Sequence, residues 1–438
     1  MSQVNHEPLF LVEESHDLPL CRVQVTLRTG ATTDGEVDGG PLPGLCDFST
    51  ELMRRGAGGK SRRQLDEALE NLGASCHVAC GYDSVDFEVV ALRDKLDAAC
   101  AILGDVLLRP TLAEEEADKL RRETAANLDD ARDDDGFLVR RFFGRRFYGE
   151  DHPYGRPVAA LPKTLAELTP ARARAYLDRY LVTGNAIVAA SGDLTEDELR
   201  RLYDRHLGGL PAGPCREATV PEPRREKGMR VLVVDKPERT QTQIYLGQAG
   251  PRWDEDAWLP FNVAMTAFGG TFTSPLMEEV RVKRGLSYGA SARVGSGRGR
   301  RTYVLHTFPS AEQTPETLRL LLGLLRDLRE RGVSSERLAF ARGYLARSHA
   351  FRVQTPESRL ATRIDLVLCG MPQERMRTYP QRVQAVTDNE VAQALQTLLV
   401  PDDLLLTLLA TEETVGPALR AMPELAGATF EVQAHDSY

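Results

Sequence analysis

The chain predicts an α+β protein of two homologous domains, each a mostly antiparallel sheet with helices packed on one face. Three observations carry that expectation. The length, 438 residues, suits two domains of about 200 better than one. Strands followed by a run of helices occur twice in the same order. Residues 208–228 are rich in glycine and proline and then charged (Arg224-Arg225-Glu226-Lys227), the composition of an interdomain linker. The expected division is a first domain over 1–207, a linker over 208–228 and a second domain over 229–438.

The first half opens on strands around 10–12 and 22–28, where Val23-Gln24-Val25-Thr26-Leu27 alternates with the period of a half-buried strand. Helices are expected over 44–55 and 61–72, then a strand-like stretch over 74–81 and a strand over 85–91. The second half repeats this order with strands over 230–235 and 241–248, helices over 254–268 and 275–283, and strands over 286–294 and 302–307. The clearest echo is a helix pair, 96–108 and 113–130 against 315–331 and 335–351. Both second helices follow a polar residue, Thr111 or Ser334, and carry acids in the first turn, as a helix N-terminus favours. Asp133-Asp134-Asp135 ahead of Phe137 reads as the cap of a further helix. Each half then closes on an apolar strand, 186–190 or 404–409.

Composition narrows the function classes. With 42% hydrophobic and 27% charged residues, each half can bury a full core. A net charge of −9 argues against a nucleic-acid partner, and no apolar run reaches membrane-spanning length. The N-terminus has neither a basic nor an apolar leader region, so a cytoplasmic location is expected. Seven cysteines, an odd and scattered set, imply no disulfide framework and fit a reducing compartment. Cys76 and Cys80 share a strand face with His77 between them. No second ligand pair follows at zinc-finger spacing, and buried free thiols are the expectation. The glycine-rich pieces at 269–271 and 295–299 fit neither the P-loop nor the dinucleotide pattern.

Residues 44–57 resemble the HxxEH helix of the pitrilysin/insulinase zinc metallopeptidases, with Gly44, Gly56 and Ala57 on the framing positions. The resemblance runs in order along nearly the whole chain. It continues through Leu72-Gly73-Ala74, His152-Pro153-Tyr154-Gly155 and the strand ending Gly192-Asp193. It resumes at Gly269-Gly270 to Ser274-Pro275-Leu276, and at Arg281 with Gly285-Leu286-Ser287-Tyr288. It implies the family's architecture, half of a clamshell. In an HxxEH helix two imidazoles one turn apart grip a Zn²⁺ while the glutamate takes a proton from the bound water. Here Asp47 and Glu51 stand at the histidine positions, Thr50 at the base and Leu128 at the third-ligand position, with Asn127 one residue away.

The resemblance therefore implies a chain with no metal or cofactor of its own, whose zinc would sit in a partner. Asp47 and Glu51 read as solvated carboxylates, as partners of Arg54 and Arg55, or as part of a rebuilt hard-cation site lacking a third oxygen. Arg281 and Tyr288 match the family pair that reaches the substrate carbonyl from the second domain, in trans where the enzyme is a heterodimer. The turn at Gly285 is expected to bring the Arg281 guanidinium near the Tyr288 hydroxyl. A guanidinium stacked on the Tyr288 ring, or paired with Glu278, is the plainer alternative. Gly269, Gly270 and Thr271 resemble a substrate-facing loop, and His152 and Tyr154 read as structural. The expected function is that of a non-catalytic subunit of a heterodimeric zinc endopeptidase. Its partner would be a catalytic subunit with an intact HxxEH, and its substrates peptides bound extended along a strand edge. The alternative is a structural subunit with no role in proteolysis.

Overall fold

The structure is a computed structural model that describes residues 7–35 and 40–437. Five strands of the first half form one sheet in the order Leu9–Glu14, Ala186–Gly192, Leu20–Leu27, Val85–Leu92, Ser75–Cys80. The first pair is parallel and the other three pairs are antiparallel. Five strands of the second half repeat the order and sense: Arg230–Asp235, Leu405–Ala410, Gln243–Ala249, Thr302–Thr307, Ala290–Val294. Thr429–Ala434 is added beside Arg230–Asp235 as a sixth strand. The repeat seen weakly in the sequence is thus a repeat of topology.

Most elements lie within a few residues of expectation. Leu96–Leu108 and Thr302–Thr307 agree to the residue, and Asp134 caps Asp135–Tyr148 by accepting from the Phe137 N–H at 2.8 Å. Ser334 caps its helix through the Arg337 N–H, but Thr111 caps nothing. Its N–H bonds the Gly56 carbonyl, Leu112 turns left-handed at φ 51°, and the helix Glu114–Ala131 begins beyond it. The strand expected from 286 begins only at Ala290. Ser287 organises a turn ahead of it, its hydroxyl bonding Gly289 and the Phe308 N–H.

The chain divides into two compact units, and neither is continuous in sequence. The first holds the residues up to Asp129, Arg156–Val220 and Arg352–Gln373; the second holds Asp130–Gly155, Pro221–Phe351 and the remainder from Glu374. The boundary near 220 falls inside the expected linker, and residues 211–227 carry no helix or strand. The simple division at 207 and 229 misses the two exchanged segments. Each supplies a helix to the sheet face opposite the main helical layer. In the first unit Leu360 and Ile364 of Pro356–Leu368 pack on Leu11, Ile187 and Ala189. Arg359 and Arg363 of that helix bind Glu13, each at 2.9 Å. In the second, Leu138, Val139 and Phe142 pack on Leu232, Val234 and Leu409. This explains why Ala186–Gly192 and Leu405–Ala410 are buried at every residue and are apolar on both faces except at Ser191 and Thr407. No helix among the described residues is long and apolar enough to cross a membrane.

Candidate functional site

The helix Leu45–Met53 carries the stretch that resembles the zinc helix. Gly44 precedes it at φ 89°, where a Cβ would stand 2.3 Å from the Ala160 Cα, so only glycine fits. The buried Asp34 carboxylate takes the place of a cap. It accepts from the Gly44 and Cys46 N–H groups, both at 2.8 Å, and so satisfies donors that the helix start leaves free. Burial pushes the Asp34 carboxyl up to about 8, against the pull of those two N–H groups and of Arg156.

The side chains at the ligand positions do not suit zinc. The Thr50 hydroxyl is buried and donates to its own helix, to the Cys46 carbonyl at 2.9 Å and the Asp47 carbonyl at 3.2 Å. It has no basic atom to take a proton. Asp47 and Glu51 are half-buried, and Leu128 on Glu114–Ala131 is an apolar residue, also half-buried. Burial, and then the Glu51 charge, push the Asp47 carboxyl up to about 6, the behaviour of a carboxylate without a cation beside it. Among the described residues no group of three or more His, Cys, Asp or Glu is arranged to hold a metal ion. The residues at the motif positions are two carboxylates, a hydroxyl and an apolar side chain, so the donor set does not fit Zn²⁺.

The expected pairing of Asp47 and Glu51 with Arg54 and Arg55 is not seen. Arg54 lies 3.7 Å from Asp66. Arg55 is buried and reaches Glu123 with both terminal nitrogens, with Glu116 at 3.8 Å and Arg62 also facing Glu123 at 3.6 Å. Arg55 holds the Glu123 carboxyl below its usual range. An ion pair therefore ties the turn that follows Leu45–Met53 to the helix Glu114–Ala131. Sequence reasoning missed it because Arg55 and Glu123 are 68 residues apart.

The second unit brings Arg281 and Tyr288 together. Pro275–Met277 is a single α turn that widens into a π-helix over Glu278–Lys283, a form frequent at functional sites. Gly285 closes it at φ 61°, as the sequence expects. Arg281 projects from the π segment. Its guanidinium lies over the Tyr288 ring at 4.4 Å and over the Phe272 ring at 4.9 Å, so the contact is with the ring faces. The alternative partner Glu278 is turned instead to Lys283 at 3.3 Å and Arg337 at 3.6 Å. Arg281 Nη1 is buried and has no hydrogen-bond acceptor. Tyr288 and Phe272 are 75% and 70% exposed, unusual for rings of that size. Phe272 was not foreseen; its position directly after Gly-Gly-Thr was the available signal.

The expected substrate loop divides. Gly269 is buried, and a Cβ there would stand 2.7 Å from both Ala292 Cβ and Leu276 Cδ2, so its role is packing. Gly270 is exposed and Thr271 half-buried. His152 and Tyr154 are structural: His152 bonds the Pro221 carbonyl at 2.9 Å, and the Tyr154 hydroxyl accepts from the Gly299 N–H at 3.0 Å under Arg301.

Comparison with known proteins agrees with this geometry. Residues 9–157 match the family model "Insulinase (Peptidase family M16)", and residues 167–345 match "Peptidase M16 inactive domain". The non-peptidase homolog YmxG of Helicobacter pylori is 21% identical over 409 residues, covering 92% of each chain. An uncharacterized zinc protease of Mycobacterium leprae is 27% identical over 57% of this chain, which spans 56% of that protein. Among solved structures, a peptidase M16 inactive domain from Pseudomonas fluorescens superposes with a TM-score of 0.85 at 22% identity, covering 93% of this chain and 96% of that one. The periplasmic protease PqqL of Escherichia coli gives a TM-score of 0.78 at 17% identity, with 99% of this chain matching 50% of that one. The two family models meet the chain in order and between them span most of it, and the chain belongs to the insulinase (M16) peptidase family.

Proposed function

We propose that this chain is the non-catalytic subunit of a two-chain zinc endopeptidase, acting on peptides or unfolded segments. A sister chain with an intact HxxEH would carry the zinc. This chain would supply Arg281 and Tyr288 to the substrate carbonyl in trans. The observation that carries the reading is selective loss: among the described residues no cluster of the first unit is arranged to hold a metal ion, yet Arg281 keeps a buried donor without an acceptor on the Tyr288 face. A donor already placed where charge develops in the transition state is worth about 3 kcal/mol. The free edge of a sheet offers backbone groups to an extended substrate.

Reconstitution tests the reading. The chain alone should cleave nothing. Mixed with the HxxEH chain it should give turnover that Arg281→Ala lowers about 100-fold with little change in KM. Unchanged turnover for both Arg281→Ala and Tyr288→Phe would remove the role given to the pair. A homo-oligomer that recruits no zinc chain, seen by native mass spectrometry, would favour the structural subunit instead.

A further inference from the structure

The seven cysteines are free thiols in this structure, and two of them touch. Cys46 is the second residue of the zinc-motif helix and is fully buried; Cys80 ends the strand Ser75–Cys80 and is partly exposed. Their sulfurs are 3.4 Å apart, inside the first-unit core, and the Cys80 thiol also lies 3.6 Å from the Gly81 carbonyl. No such contact joins Cys21, Cys76 or Cys100 to another thiol. A disulfide needs a sulfur separation of about 2.05 Å. The remaining gap of about 1.4 Å is within reach of small rotations of two short side chains.

We propose that Cys46 and Cys80 are an oxidative modification site, closing as a disulfide that fastens the zinc-motif helix to the outer strand of the first-unit sheet. The oxidant class is a small peroxide, which the partial exposure of Cys80 admits. The Cys80 thiolate attacks one peroxide oxygen, breaking the O–O bond, and becomes a sulfenic acid with release of hydroxide. The Cys46 sulfur then attacks the Cys80 sulfur, forming the S–S bond and expelling water. Two thiols lose two electrons and two protons, and one hydrogen peroxide becomes two waters. A dithiol reverses the step. The hydrogen bond with Cys46, and then burial, keep the Cys80 thiol protonated well above its usual range, so oxidation is slow at neutral pH and faster in alkali.

The consequence is structural. Ser75–Cys80 is the last strand of its sheet among the described residues and carries backbone groups open to pairing. A covalent tie at its end holds that edge against the helix. The disulfide itself does not depend on the proposed role in proteolysis.

The test uses the full chain treated with hydrogen peroxide at mildly alkaline pH, then alkylated and mapped by mass without reduction. The expected product is one cross-linked peptide pair, Cys46 with Cys80, two hydrogens lighter, with the thiol count falling from seven to five. Amides of Ser75–Cys80 should then exchange more slowly, and reduction should restore the original rate. Cys46→Ser should give no cross-link and leave a dimedone-reactive Cys80; Cys80→Ser should give neither. Overoxidised Cys80 without a cross-link in the wild-type chain overturns the proposal, as does a dominant product through Cys76, Cys100 or Cys215. The wild-type map decides even if a variant fails to fold.

Discussion

Asp47→Asn tests whether the first ligand position is a burdened carboxylate or a relic binding site. The structure places Asp47 half-buried, one turn from Glu51 and with no cation against it, and burial raises its carboxyl to about 6. An unfolded chain releases that proton near 3.9. Between those values the folded protein holds a proton that the unfolded chain gives up. The stabilisation is complete below about pH 4 and is lost as pH rises through about 6. Full burial would make the difference about 3 kcal/mol, and partial solvent access reduces it to about 1–2 kcal/mol. Asparagine cannot charge. Relative to wild type, Asp47→Asn should therefore gain about 1–2 kcal/mol more at pH 8 than at pH 4. Urea unfolding of both proteins at both pH values measures this, and the comparison cancels any pH-independent cost of the substitution. An equal effect at both pH values would refute the reasoning. A loss confined to pH 8 would mean that the charge is stabilised, and a bound cation would then return as the explanation.

Other substitutions probe the frame around that helix. Glu123→Ala strands the buried Arg55 guanidinium and should cost about 2 kcal/mol in chemical denaturation, whereas Arg55→Met, which removes the buried charge, should cost less than half as much. Gly44→Ala drives a Cβ into Ala160 at φ 89° and should cost more than about 3 kcal/mol or abolish soluble expression. Leu360→Ala should cost about 2–4 kcal/mol and speed amide exchange in Leu9–Glu14 and Ala186–Gly192, which its helix covers. Added Zn²⁺ should leave the melting temperature unchanged; stoichiometric binding with a rise of several degrees would contradict the poor fit of Asp47, Thr50, Glu51 and Leu128 to the metal.

The sequence by itself determined the repeat and the family, and it carries no HxxEH over 44–57. Each of these is written in local order: strand alternation at 23–27, the glycines framing 44–57, the seven-residue spacing from Arg281 to Tyr288. The tertiary structure decided what required residues distant in sequence to meet. It exchanged one helix between the units, so that Leu360 covers Leu11 and Leu138 covers Leu232. It paired Arg55 with Glu123 rather than with Glu51, set the Phe272 and Tyr288 rings against Arg281, and brought Cys46 against Cys80. The physical reason is the range of the forces. Hydrogen-bonded turns and hydrophobic period act over a few residues and leave a mark in the order of the chain. Ion pairs, ring contacts and thiol contacts act across the packed interior, where the sheet and its two helical layers choose the neighbours.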